Sequence, residues 1–207
     1  IVCVFITYNV LSHLPLLDFR AYKVGNNIKD EMSIPEDAPK DLYEYNWEFL
    51  IDNKKQIITN TGDYPSVEGE FIDVTTRLIK KGYEPAIYDF SIEDGEINFT
   101  DEVLDMYKVI VIISYDLEKI NKKSIVKIKD LLTDAFNNDY EIIGLTSSSK
   151  AFSENFSVEN DLPFAFYTCD ETVLKTIVRS NPGLVVLGKG TIKAKKHFND
   201  FDNLNLK

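Results

Sequence analysis

The 207-residue chain carries 23 Lys and Arg against 34 Asp and Glu, a formal net charge of −11, with 44% hydrophobic and 28% charged residues. This is the composition of an ordinary globular protein, long enough to bury roughly 70% of its unfolded surface. The acidic balance argues against a nucleic-acid partner, because phosphate recognition needs a face rich in Lys and Arg.

Ile1–Tyr8 is continuously apolar but far short of the roughly 20 residues that cross a bilayer. It reads either as a buried strand or as the end of a transmembrane helix continuing upstream of Ile1. Residues 9–42, broken by Pro15, Pro35 and Pro39, predict an extended arm that packs through Leu14, Leu16, Leu17, Phe19 and Tyr22. Tyr43–Ile51 and Gln56–Thr59 flank the polar Asp52-Asn-Lys-Lys and read as a β-hairpin. Phe71–Lys80 is extended and stops before Gly82.

From Tyr83 the pattern alternates strand and helix. Val109–Ser114 is an unbroken apolar run, as expected of a strand covered on both faces. Ser124 is placed to cap a helix over 125–137, with Ile125, Ile128, Leu132 and Phe136 at helical spacing. Glu141–Thr146 predicts a second buried strand, followed by a short helix near 149–157 and a third strand over Leu162–Tyr167. A helix over Asp170–Arg179 turns Val173, Leu174 and Ile177 inward, and a hairpin closes around Gly188-Lys-Gly.

Three local motifs carry a resemblance. Glu84-Pro-Ala-Ile-Tyr-Asp-Phe-Ser-Ile-Glu-Asp-Gly resembles the entry into thioredoxin-like domains of the TlpA and peroxiredoxin kind. Leu162-Pro-Phe-Ala-Phe-Tyr-Thr-Cys-Asp is similar to a strand end of that superfamily. Arg179-Ser-Asn-Pro-Gly-Leu-Val-Val-Leu resembles its cis-proline strand, which implies a cis Asn181–Pro182 bond. A narrower likeness joins Tyr8–Ile28 to Arg179–Leu184. It resembles the soluble C-terminal portion of DoxX-like membrane proteins of Bacteroidetes-type bacteria, and implies an extracytoplasmic, periplasmic domain tethered through a preceding membrane segment. In redox members two cysteines follow the first buried strand. Here those positions fall near Lys119 and Lys122, so the resemblance implies the fold without its chemistry.

The candidate sites follow from this frame. Cys3 and Cys169 form no Cys-x-x-Cys and no zinc spacing with His13 or His197, so neither a metal nor a cofactor is expected. Cys169 precedes a helix start, where a thiol could be activated. Asp170 and Glu171 beside it act the other way, and an isolated cysteine most often serves as a small buried hydrophobe. Ser147-Ser-Ser could cradle an anion, although capping is the commoner role of serines before a helix. Tyr115, Asp116, Asn181 and Pro182 would line what the resemblance makes the old active-site surface, and mark the candidate partner-binding surface.

The expectation is an α/β, thioredoxin-like three-layer domain over 83–207, with an arm and β-hairpin extension over 1–82 packed against it. Its expected role is non-catalytic binding or assembly, with a protein partner or with its own membrane-embedded portion. Two alternatives remain: a thiol-dependent redox enzyme using Cys169 or cysteines supplied by a membrane portion, and a structural domain that forms homo-oligomers through the arm.

Overall fold

The structure is a computed structural model that describes Thr7 and residues 12–206. The reading of Ile1–Tyr8 as strand or helix end, and Cys3, lie outside the described residues except for Thr7. The chain divides into two compact units. One joins the residues up to Met32 with those from Ala86 onward, and the other is Ser33–Pro85. The arm up to Met32 thus groups with the α/β part, while the hairpin region forms a unit of its own.

The arm ends in the short helix α1 (Ile28–Met32), within a stretch read as loop from its prolines and polar residues. It packs less completely than its apolar residues suggest. Tyr22 and Ile28 are each 3% exposed and belong to the core, whereas Leu16, Leu17 and Phe19 are 90%, 72% and 88% exposed. Leu14 is partly buried against the same core.

The Ser33–Pro85 unit is an antiparallel sheet of β1 (Leu42–Ile51), β2 (Lys54–Asn60) and β3 (Glu70–Lys80), with β1 in the centre. Asp52 and Asn53 both take positive φ, 49° and 58°, which gives the two-residue turn whose twist matches the flanking strands. The stretch expected only to be extended is therefore a third strand, held by Trp47, Phe49, Tyr64 and Phe71 in edge-on aromatic contacts.

The other unit contains a mixed sheet. Its strands are β4 (Glu93–Asp94), β5 (Ile97–Asn98), β6 (Val109–Ile113), β7 (Glu141–Thr146), β8 (Phe166–Thr168), β9 (Gly183–Gly188) and β10 (Thr191–His197), in the spatial order β10-β9-β6-β7-β8-β4-β5. β6, β7 and β8 run parallel, while β9 and β10 are antiparallel. Helices α2 (Thr100–Asp105), α3 (Lys122–Asn137), α4 (Lys150–Glu159) and α5 (Glu171–Ile177) connect them, and a 3-10 helix (Phe198–Asn203) follows β10.

The layering follows from strand alternation. Val109, Val111 and Ile113 of β6 point into one core with Val103 and Leu104 of α2, Val173, Leu174 and Ile177 of α5, and Tyr22 and Ile28 of the arm. Ile110 and Ile112 point the other way, against Ile125, Ile128, Leu131, Leu132 and Ala135 of α3. Each such side chain removed from water contributes roughly 1.5–3 kcal/mol.

Two details differ from the sequence reading. Asn121, not Ser124, caps α3, its side chain accepting from the Lys123 amide. The helix starts earlier than the apolar periodicity does, so Ser124 is already inside the first turn and its hydroxyl donates to the Asn121 carbonyl. Phe136 is 56% exposed because the stripe 125, 128, 132 continues through Ala135, about 100° around the helix from Phe136. The third strand is also shorter than expected, beginning only at Phe166.

Candidate functional site

The site is a loop at the end of β6. The apolar run stops at Ser114, whose amide donates to the Leu145 carbonyl and continues the β6–β7 pairing. Ser114 is fully buried, and its hydroxyl donates to Asn181 Oδ1 at 2.7 Å. Asn181 Nδ2 in turn donates to the Asp116 carbonyl at 2.7 Å, and the Asn181 carbonyl accepts from the Asn121 amide at 3.3 Å. One residue in front of β9 thus ties down the whole connection between β6 and α3.

Asp116 is fixed from within the loop. Lys119 Nζ lies 2.6 Å from Asp116 Oδ2, and the Glu118 amide donates to Oδ1 at 3.1 Å. The Lys119 hydrogen bond, against a smaller effect of burial, holds the Asp116 carboxyl below its ordinary range, and Asp116 raises the Lys119 ammonium correspondingly. The ammonium is 79% exposed, so the pair contributes little to stability.

On the other side of the loop, the Ser147 hydroxyl donates to the Tyr115 carbonyl, and Ser148 Oγ accepts from the Leu117 amide at 3.1 Å. Ser149 stands at the α4 cap position without a capping side-chain hydrogen bond. Ser147 and Ser148 therefore anchor a neighbouring loop, and Ser149 alone stands at the helix start.

Of the four residues expected on one surface, the structure brings Tyr115, Asp116 and Asn181 together in this network, and Tyr115 and Asp116 are partly exposed. They line a surface hollow of about 290 Å³ with Ser147, Ser148 and Glu171. Asn181 is half-buried and engaged on both faces of its amide, and Pro182 is buried, so neither offers much surface. The Asn181–Pro182 bond is cis. Ser114 and Asn121 were not picked out as site residues, and Ser148 was read only as part of a possible anion cradle. The one available signal was a polar residue ending an otherwise apolar strand, which marks Ser114.

Cys169 follows β8 and is 2% exposed within the core. Burial pushes its thiol up to about 12, outweighing the backbone hydrogen bond from Ser91 that acts the other way, and the Asp170 charge adds a smaller upward push. A thiol in that state is not a nucleophile near neutral pH. Lys119 and Lys122, where the resemblance would put a dithiol, are both exposed. The two histidines are not simply solvated. His13 Nδ1 is 2.8 Å from Asp200, and His197 is 6% exposed with its ring nitrogen accepting from the Asn199 amide. Burial lowers the His197 pKa. Among the described residues, no group of His, Cys, Asp or Glu is arranged to hold a metal ion.

No protein-family model matches this chain, and no curated protein matches it. Several solved structures resemble part of it. The C-terminal domain of a Bacteroides thetaiotaomicron protein assigned as a thiol-disulfide oxidoreductase aligns at 14% identity with a TM-score of 0.41, covering 51% of this chain and 81% of that one. A thiol:disulfide interchange protein from a Bacteroides species aligns at 11% identity and TM-score 0.40, covering 55% and 82%. Peroxiredoxin Q of Xanthomonas campestris aligns at 11% and 0.37, covering 51% and 77%. Such weak likeness says nothing about activity. Three parallel strands joined by helices, followed by an antiparallel pair on the other side of β6 and helices on both faces, make the α/β unit thioredoxin-like.

Proposed function

We propose that the α/β unit is a non-catalytic binding or assembly domain on the extracytoplasmic face of a bacterial membrane, anchored through a preceding segment. Its partner is another protein or the membrane-embedded portion of its own chain, met through the surface around Tyr115 and Asp116. The observation that carries the non-catalytic reading is the β6–α3 loop. Where a thioredoxin-like redox site needs thiolates, it presents Lys119, whose ammonium is held protonated by Asp116 and has no lone pair with which to attack a disulfide. The one described cysteine is buried with a raised pKa. The anchoring part rests on the resemblance of Tyr8–Ile28 and Arg179–Leu184; no helix among the described residues is long and apolar enough to cross a membrane.

The chemistry is tested by insulin reduction. The purified protein is expected to show no turnover above its Cys169→Ser variant, and turnover that this substitution abolishes would overturn the reading. Alkylation checks the same point from another direction. At pH 8 the native protein should label at Cys169 at least a hundredfold more slowly than the urea-unfolded chain, given a thiol 2% exposed and almost fully protonated. The surface is tested by a photo-crosslinking residue in place of Tyr115 in native membranes, with Val126 on α3, 62% exposed, as the control position. A specific adduct from 115 alone is expected, and equal adducts from both positions would contradict it.

A further inference from the structure

We infer that the α/β unit carries a binding site for a small oxyanion, a carboxylate or phosphate group, in the hollow between the arm and α5. This hollow of about 490 Å³ is lined by Arg20, Tyr115, Thr172, Lys175, Thr176 and Arg179. It is distinct from the hollow that contains Asp116, shares only Tyr115 with it, and does not depend on the partner-binding reading.

The charge here runs against that of the chain as a whole, which is −11. Arg20 donates from Nε to Asp18 Oδ1 at 2.7 Å and from Nη2 to Oδ2 at 2.9 Å, while its Nη1 donates to the Thr176 carbonyl at 2.7 Å. The arm therefore delivers a guanidinium to the C-terminal half of α5 and fixes its plane. Asp18 does not neutralise it alone, because Lys195 Nζ shares that carboxylate at 2.7 Å. Lys175 pairs with Glu171 at 2.5 Å and lies 5.0 Å over the Tyr115 ring. Arg179 is exposed, and no described residue pairs with its guanidinium. Three cations thus line one hollow, Arg20 paired with Asp18 and Lys175 with Glu171 at its edges, with Thr172 and Thr176 at its wall.

A planar guanidinium with unused N–H groups, a second held in position and an ammonium close by suit a planar or tetrahedral oxyanion, which accepts charge-assisted hydrogen bonds from all three. The Tyr115 ring offers a face for an apolar body attached to that anion. An anion here would also offset the charge of Arg179, which no described carboxylate pairs. This gives the arm a role in binding that its composition alone did not indicate.

The test is an NMR titration of the intact protein with sodium phosphate and, separately, with sodium succinate, each against sodium chloride at equal ionic strength. Saturable shifts at the amides of Thr172, Thr176 and Arg179 are expected with one or both probes, and the one that saturates at lower concentration identifies the anion class. Arg179→Gln should weaken that binding by about tenfold, the loss of one charge-assisted contact, while Arg179→Lys keeps part of it. Lys129→Gln, at an exposed pair with Asp161, serves as the charge control and should leave binding unchanged. Shifts that grow linearly and match the chloride series for both probes would overturn the site, as would wild-type affinity in Arg179→Gln.

Discussion

Replacing Asp18 by Ala is expected to destabilise the α/β unit by about 3–5 kcal/mol, the cost of stranding a buried charge. Lys195 is the reason. Its ammonium is 3% exposed and has two acceptors, Asp18 Oδ2 and the Tyr22 carbonyl, each at 2.7 Å. Burial pushes the Lys195 pKa down, and the Asp18 hydrogen bond works against that push. Without the carboxylate, only a carbonyl would face the charge. Arg20 would lose its carboxylate in the same step and keep only the Thr176 carbonyl. A thermal melt should register the loss as a drop of roughly 10 °C for a protein of this size. Adding Lys195→Met to Asp18→Ala should recover most of it, because an apolar pair replaces an orphaned ion. A single variant within about 1 kcal/mol of wild type would show that Lys195 finds water instead, and would sink the argument.

The same carboxylate gives a pH dependence with a definite sign. Burial would raise the Asp18 pKa, but hydrogen bonds from Arg20 and Lys195 reverse this and hold it well below the usual carboxylate range. A folded pKa below the unfolded one means that the contribution is complete above about pH 4 and is lost as the pH falls further. Acid unfolding monitored below pH 4 should therefore be less steep in the Asp18→Ala, Lys195→Met double variant than in the wild type.

The residues that were legible in the sequence are those whose burial depends on local periodicity. Val109–Ile113 could hardly be anything but a strand covered on both faces, and Val173, Leu174 and Ile177 mark the inner face of α5 from their spacing alone. The arm shows where that logic stops. Leu16, Leu17 and Phe19 are as apolar as Tyr22, yet Tyr22 alone of these reaches the core. The difference lies in the Asp18–Arg20–Lys195 cluster, which fixes the path of the chain between them. Its members are separated by up to 177 residues in sequence, so no local pattern reveals it. The site was legible in the same uneven way. The absence of cysteines after β6 could be read directly, but the tertiary bonds that Ser114, Asn121 and Ser148 make with residues 31 to 67 positions away could not.

Asn181→Ala is expected to cost about 2–3 kcal/mol and to loosen the loop between β6 and α3 without disturbing the sheet. The Asn181 amide is the only described side chain that bridges Ser114 and Asp116, accepting from one and donating to the other at 2.7 Å each. Ser114 is fully buried, and its one other contact, to the Asp116 carbonyl, is stretched to 3.4 Å. Removing Asn181 would therefore leave a hydroxyl in the core with a poor partner, worth about 1–3 kcal/mol, together with a carbonyl that has lost its donor. Ser114→Ala alone should cost less, since it removes the group instead of orphaning it. The double variant should fall short of the sum by about 1 kcal/mol or more, the coupling expected of residues in direct contact. Hydrogen exchange separates this from general destabilisation: amides of 115–121 should exchange faster in Asn181→Ala while those of β6 and β9 keep their order of protection. If the two substitutions prove additive, Asn181 is not the tie between β9 and the loop. Tyr115 and Asp116 would then have to be positioned by Ser147 and Ser148 from the β7 side alone.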